Sequence, residues 1–415
     1  MEISYSKYIE FSIYALFLLP KIPLTENSGI LIGELMLLIG FIFNFYKPIR
    51  LQKELVLYIL FVFYLYILSS LTSGLFIGVF PIEALLFFFR FLIFIEIYKF
   101  FERKSSHLSY HDLFLKYFYY PFLFNFFISF MIFIIEFLHK NPSFSEIMWG
   151  YEVGFRLIPI TGLAINFSSI NIIPLKVVGG GSANVIFAFT FFNLIFSYYL
   201  NYKFKIVLLI SIIYVMLSLS RGSMLTLIFF IFFVFLFSKK ITMKNKFIIF
   251  LIIIITIIIF NFLFENYNLP NVFERIFSTI ENGNLDPSSK GRIENYKDFF
   301  KVWANSPFSI LFGIGNDQEI YQNLVNRNLI ESFYLQVLFG TGIIGCLILL
   351  YYYYNIYFKS KNNIEYKILI TYIIFQSFIN WSVTGGDFLS PINIFLFFSI
   401  MGIHESRKNG LLTSY

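Results

Sequence analysis

Long apolar runs, cut by short polar breaks, make up most of the chain. A bilayer crossing needs about 17–25 predominantly apolar residues. Runs of that order occur at 8–24, 28–46, 54–71, 75–101, 113–138, 183–201, 204–219, 222–237, 246–264, 332–357, 365–382 and 388–404. The pattern predicts an all-α, polytopic transmembrane helical bundle of about 12 spans. The runs 204–219 and 222–237 are short and meet at Ser220-Arg221-Gly222. They are either two spans joined by a tight external turn or a broken pair of re-entrant segments. Most breaks are short turns, 72–74 and 384–387 among them, but 139–182 and 265–331 are long. The expected organisation is therefore 1–264, nine spans with the outer loop 139–182; 265–331, a large outer loop; and 332–415, three spans and a tail.

The polar breaks orient the bundle. With Met1 on the cytoplasmic side, the inward ends and loops carry Lys47, Arg50 and Lys53, then Arg103, Lys104 and Lys116, and later Lys239, Lys240 and Lys244. In all, 19 of the 31 basic residues fall inward, and the turns 72–74 and 384–387 carry none. Short cytoplasmic loops hold such an excess of Lys and Arg, so both termini are expected inside and 139–182 and 265–331 outside. The formal charge of +7 is thereby accounted for by topology, and nucleic acid is not an expected partner; membrane lipid is.

The second long loop has the pattern of a folded element. Ser288 or Ser289 can cap a helix in which Arg292, Tyr296, Phe299 and Trp303 recur on one face, and Pro307 marks its stop. A helical cap on the outer face is predicted. Composition agrees with a lipid-embedded chain: 58% of residues are apolar and 13% charged, against about 25% charged in soluble domains. Phe supplies 60 positions and Tyr 29. The single cysteine, Cys346, lies in an apolar run and excludes an intramolecular disulfide. No cleavable signal peptide is expected, because the first apolar run continues into further spans without a small-residue cleavage site.

Several residues carry both a bland and a functional reading. Arg90, near the middle of the fourth span, must be paired or face water. Glu83 and Glu34 are its candidate partners, and the alternative is a phosphate or sugar contact in a central cavity. Arg221 is either a snorkelling arginine with serine neighbours or, with Gly222 and the following helix N-terminus, a phosphate site. In the large loop stand Gly291-Arg292, Trp303-Ala304-Asn305-Ser306-Pro307, Gly313-Ile314-Gly315, Glu331-Ser332-Phe333-Tyr334-Leu335 and Gly340-Thr341-Gly342-Ile343-Ile344-Gly345. Taken singly, Gly-x-Gly is a tight turn and Glu331 favours a helix dipole.

Taken in order, Ser-Arg-Gly, Gly-Arg, Trp, Ser-Pro, Gly-x-Gly, Glu-Ser-x-Tyr-Leu and Gly-x-x-Gly resemble the Wzy-type O-antigen and capsule polymerase family. That family is related to the O-antigen ligases known as WaaL. The resemblance covers residues 150–350 most clearly; the flanks agree only in hydropathy. Arg156-Leu157 followed by Gly162, and Asn184 opening a span, resemble a further region of these proteins, although the proline that precedes the asparagine there is absent here.

The resemblance implies a GT-C-like membrane glycosyltransferase of the bacterial inner membrane. Its active site would lie on the periplasmic side, and its substrate would be an undecaprenyl-diphosphate-linked oligosaccharide. It implies a separate chain-length regulator as a partner. The ligases resembled carry a histidine just before the span after the large loop. This chain has His107, His111, His139 and His404, none of them in 265–331, and Glu331 stands at the equivalent position. Polymerase is thus favoured over ligase; a flippase of lipid-linked oligosaccharide is the alternative from another class. In the implied chemistry Arg292 and Arg221 hold the diphosphate, and Glu331 is the base for the acceptor hydroxyl. Arg156, Arg90, Asn184, Trp303, Asp317 and Tyr334 contact substrate, with Asp317 the second choice of base. No cofactor or metal is expected, since a lipid-diphosphate donor does not oblige one.

Overall fold

The computed structural model describes residues 2–23, 29–44, 51–138, 163–166, 171–174, 181–218, 221–238, scattered positions within 242–258, and 287–327, 330, 332–376 and 390–412. The described chain is mostly helical. It divides into two compact units, Met1–Gly40 with His107–Glu281, and Phe41–Ser106 with Asn282–Tyr415.

In the first unit the principal helices are Glu2–Leu18, Tyr110–Ile135, Gly181–Leu200, Phe204–Ser218 and Arg221–Phe237. The Ile32–Asn44 helix begins here. Phe17 stacks on Phe189 at 4.1 Å, a pairing worth about 0.5–1.5 kcal/mol beyond its burial. Asn125 Nδ2 donates to the Phe17 carbonyl at 2.6 Å, and Tyr14 donates to the Lys116 carbonyl at 2.9 Å. These bonds satisfy polar groups that an apolar surround would otherwise penalise. At Gly33 the backbone of Leu16 lies so close that a Cβ would overlap it, so a side chain there would force the two segments apart.

This unit departs from the all-α expectation. Strands β1 (Lys21–Pro23), β2 (Gly29–Leu31), β3 (Leu163–Asn166) and β4 (Asn171–Pro174) form a small sheet in the order β2-β1-β3-β4. β1 pairs antiparallel with β2 and parallel with β3 through Lys21 and Ala164; β3 pairs antiparallel with β4. Lys21–Pro23 and Gly29–Leu31, expected inside the spans 8–24 and 28–46, and the strands of the outer loop 139–182 thus satisfy their backbone groups by pairing instead.

The second unit contains Lys53–Ile77, Ile82–Leu92, Ile95–Lys104, Pro287–Ala304, Pro307–Phe312, Gln318–Val325, Phe333–Ser360, Ile364–Phe375 and Pro391–Leu412. Tyr58 centres an aromatic core, with Tyr352 and Phe397 stacked at 5.5 and 5.0 Å and Phe91 edge-on at 5.3 Å. At the end of Lys53–Ile77 away from the glycine loop described below, Glu54 pairs with Lys359 at 2.6 Å and Gln52 Nε2 donates to the Met401 carbonyl at 2.8 Å.

Three expectations about this unit are corrected. The turn expected at 72–74 is helix, because Thr72 returns its hydroxyl to the Leu68 and Ser69 carbonyls at 2.9 and 2.8 Å. The helix stops instead at Gly78, whose φ is 71°, ahead of Pro81. Pro307 does not simply end the preceding helix: it opens the next, with Ser306 capping the Phe308 amide at 3.2 Å. The run expected as one span at 332–357 breaks at Gly342, with φ 65° and ψ −164°. Residues 333–341 and 343–360 are therefore two helical segments meeting at a kink.

Among the described residues, Lys53–Ile77, Tyr110–Ile135 and Phe333–Ser360 are long and apolar enough to cross a membrane by length and composition. Ile32–Asn44, Phe187–Leu200, Phe204–Ser218 and Gly222–Phe237 are shorter apolar helices. Their outward faces carry residues such as Phe127, Phe232 and Leu350, as expected where lipid is the solvent.

Candidate functional site

The best-defined polar constellation lies in the second unit, where the loop Gly313-Ile314-Gly315-Asn316-Asp317 is clasped between helices. Its backbone pairs with the helix that follows: Ile314 N donates to the Phe339 carbonyl at 2.7 Å and Gly315 N to the Gly340 carbonyl at 3.0 Å. This approach needs glycine. Gly313 has φ 83° and ψ 178°, a region open essentially to glycine, and a Cβ there would fall on the Gly340 carbonyl. A Cβ on Gly342 would likewise meet the backbone of Leu311. The two glycine motifs are thus opposite halves of one backbone-to-backbone contact.

The same loop is bolted to the Lys53–Ile77 helix. That helix widens to a π-turn at Tyr64–Leu68, and just beyond it the buried Ser70 Oγ accepts from Asn316 N at 2.9 Å. Asn316 Oδ1 accepts from the Tyr321 hydroxyl at 2.5 Å and from Gln336 Nε2 at 2.8 Å. Burial, with Tyr66 and the Asp317 carboxylate nearby, pushes the Tyr321 phenol well above its usual pKa. It therefore remains a neutral donor throughout the physiological range.

Asp317 is 3% exposed. Its Oδ1 accepts from Glu319 N at 3.0 Å, capping Gln318–Val325, and its Oδ2 accepts from Ala84 N at 3.1 Å in the first turn of Ile82–Leu92. One carboxylate so serves two helix N-termini, where negative charge is favoured. Its position is that of a structural joint bordering the loop.

The helix predicted from the Arg292 to Trp303 periodicity is present as Pro287–Ala304. Ser288 and Ser289 lie inside its first turn. Phe299 is fully buried on this face, in a cluster with Ile314, Tyr321, Ile330 and Phe339. Trp303 packs on Phe339 at 5.7 Å. Asp298 receives Arg327 at 2.7 Å, joining this helix to the residues just after Gln318–Val325. Arg292 is partly buried near the start of the helix.

The remaining predicted residues are distributed as follows. Tyr334 lies in the first turn of Phe333–Ser360, beside Phe333 at 5.6 Å. Arg90 is partly buried in the last turn of Ile82–Leu92, with Glu83 in its first turn. Glu34 belongs to the other unit, where it accepts from Leu31 N at 2.9 Å. Arg221 opens the Arg221–Phe237 helix, and Asn184 lies in the first turn of Gly181–Leu200. Both belong to the first unit, whereas Arg292, Trp303, Asp317 and Tyr334 belong to the second. Glu331 and Arg156 fall outside the described residues.

Sequence reasoning did not single out Ser70, Asn316, Tyr321 or Gln336. The available signal was a Ser69-Ser70 pair inside an apolar run and the polar pair that follows Gly-Ile-Gly.

Long apolar helices with lipid-compatible faces, joined to a helical cap through a glycine clasp, point to an integral membrane protein. Residues 206–350 of the chain match the family model described as O-antigen ligase, Wzy_C. The match brackets Arg221, the Pro287–Ala304 helix, the glycine clasp and the kink at Gly342, and it is consistent with the O-antigen polymerase and ligase superfamily. No curated protein and no solved structure matches the chain.

Proposed function

We propose that the chain is a repeat-unit polymerase of O-antigen or capsule. It would transfer a growing undecaprenyl-diphosphate-linked glycan onto the non-reducing end of a new lipid-linked repeat unit. The observation that carries this reading is the family match over 206–350, taken with the absence of histidine from 265–331 of the sequence. A ligase of the kind resembled would hold a histidine where Glu331 stands. About twelve spans, a GT-C-like architecture, cytoplasmic termini and a periplasmic active site complete the proposal, supported by hydropathy and by the distribution of Lys and Arg.

In this reading the leaving diphosphate is held by Arg292 and Arg221, with Arg156 as a third cation. Charge-assisted guanidinium contacts to phosphate are roughly twice as strong as neutral hydrogen bonds. Stabilising the departing charge is often the largest catalytic contribution. Glu331 accepts the proton of the attacking sugar hydroxyl, the glycosidic bond forms at the anomeric carbon, and the lipid diphosphate leaves as an anion. The buried position of Asp317 and its two amide bonds favour Glu331 over Asp317 as base, because moving a proton to Asp317 would weaken both helix caps. No metal is required by this scheme. Arg90, Asn184, Trp303 and Tyr334 are proposed to line the path of the glycan.

Complementation of a null strain tests the assignments. Arg292→Ala, Arg221→Ala and Glu331→Gln are each expected to abolish long polymer while the protein is still inserted at normal abundance. Normal chain length from either arginine variant would remove that residue from the diphosphate site, and full polymerisation by Glu331→Gln would place the base elsewhere.

A further inference from the structure

The apolar surface of the Lys53–Ile77 helix does not end at a water-facing turn. Leu75, Phe76 and Phe80 are 83%, 76% and 61% exposed, and the sequence from Leu55 to Ile82 contains no charged residue. Beside them the Pro307–Phe312 helix buries none of its residues. Phe308 stands edge-on to Phe76 at 5.3 Å and packs on Phe312 at 4.9 Å. The stretch Pro307 to Asn316 is also uncharged. Two uncharged segments, distant in sequence, thus present one aromatic face. It continues down the helix through the exposed Leu68 and Leu60, along the side that a membrane-spanning helix turns to lipid. In sequence, charge resumes at Glu54 and Glu83 around the first stretch and at Lys301 and Asp317 around the second, and the Lys301 side chain, on the Pro287–Ala304 helix, is 77% exposed.

We propose that the Phe76–Phe308–Phe312 face is seated in one leaflet of the bilayer. Acyl chains would cover the Pro307–Phe312 helix, and the lysine-bearing Pro287–Ala304 helix would rest at the headgroups. Contiguous apolar surface rimmed by charge marks such contacts, and phenylalanine rings, with no polar group to solvate, are accommodated by acyl chains. The occupant is membrane lipid because the face is continuous with the lipid-facing wall of a span and lacks any charge that would orient a protein partner. The seat also has a structural consequence. Leu311 lies directly against Gly342 and Gly313 against Gly340, so the depth of Pro307–Phe312 sets the depth of the glycine clasp. Resting on the function proposed above, this places the clasp at the level of the lipid-linked diphosphate, in the outer leaflet.

Spin-label accessibility in the full-length protein tests the seat. In a Cys346→Ser background, nitroxides are attached at Phe308→Cys, Phe312→Cys and, as the headgroup control, Lys301→Cys. The protein is then reconstituted in phosphatidylethanolamine–phosphatidylglycerol vesicles. Relative to position 301, positions 308 and 312 are expected to show several-fold greater collision with membrane-dissolved oxygen than with a water-soluble nickel chelate. Chelate access at 308 and 312 equal to that at 301 overturns the proposal. So does exclusion of both reagents with dipolar broadening between labels, which would mark a contact between two copies. Leu311→Cys, at a further exposed position of the same helix, replaces either phenylalanine variant that fails to insert. Glycan transfer is not read in this experiment, so the seat can fail while the polymerase reading stands, and the reverse.

Discussion

Replacing Gly313 by alanine attacks the contact on which the loop geometry depends. The backbone at this position has φ 83° and ψ 178°, and holding an alanine there costs of order 1–3 kcal/mol in strain alone. The added Cβ also falls on the Gly340 carbonyl, so the loop must retreat. Retreat weakens the bonds from Ile314 N to the Phe339 carbonyl and from Gly315 N to the Gly340 carbonyl, at 2.7 and 3.0 Å. Each contributes about 1 kcal/mol net. The combined loss is about 3–5 kcal/mol, local to the clasp. Gly291 is the internal control: it lies in the Pro287–Ala304 helix and nothing within 4 Å of a Cβ opposes it. Alanine there is expected to stabilise the helix by about 0.5–1 kcal/mol. Limited proteolysis of purified full-length protein, with denaturant titration followed by tryptophan emission, reads both. Gly313→Ala should be cleaved within the 287–332 region at lower denaturant than wild type, and Gly291→Ala at slightly higher. Equal protection of the two variants would refute the clasp.

Other outcomes follow from the same geometry. Asp317→Ala strips the caps of two helices and is expected to cost about 1–2 kcal/mol. Asp317→Ser, which retains a short cap but not the reach to Ala84, should recover part of that; if serine and alanine behave alike, the shared-cap account is wrong. Tyr321→Phe removes a buried donor to Asn316 and should destabilise by about 1 kcal/mol at neutral pH. Because the folded phenol titrates above its unfolded value near 10, the neutral form's contribution is present in full below about pH 10 and is lost as pH rises toward the folded value. The phenylalanine variant should therefore lose less stability than wild type between pH 9 and 11, measured by denaturant midpoint. Arg327→Ala, removing a part-exposed partner of Asp298, should change stability by less than about 1 kcal/mol; a larger loss would mean the pair organises the loop.

What the sequence made legible follows the range of each interaction. The Pro287–Ala304 helix was readable because Arg292, Tyr296, Phe299 and Trp303 carry their periodicity within one segment. The end of the Lys53–Ile77 helix was misplaced because Thr72 and Ser73 look like a polar turn. The Thr72 hydroxyl is absorbed by the helix's own carbonyls, whereas Gly78 and Pro81 are the true stop signals. The sheet was not readable: its strands are three or four residues long, too short for alternation to register, and Lys21 pairs with Ala164, far away in sequence. Gly313-Ile314-Gly315 could be read as a turn, but not as a clasp, since the Ser70 acceptor lies 246 residues from Asn316. Arg292 and Trp303 fall in the element that was legible. Arg221 and Asn184 fall in the other unit, and one-dimensional motif order carries no information about that separation.

The central claim, polymerisation of lipid-linked repeat units, is tested most directly by electrophoresis of surface polysaccharide from a deletion strain. The account predicts that single repeat units remain attached to the acceptor lipid while the long-chain ladder disappears, and that the intact gene restores the ladder. Loss of every attached repeat unit would contradict it and indicate ligation or transport instead.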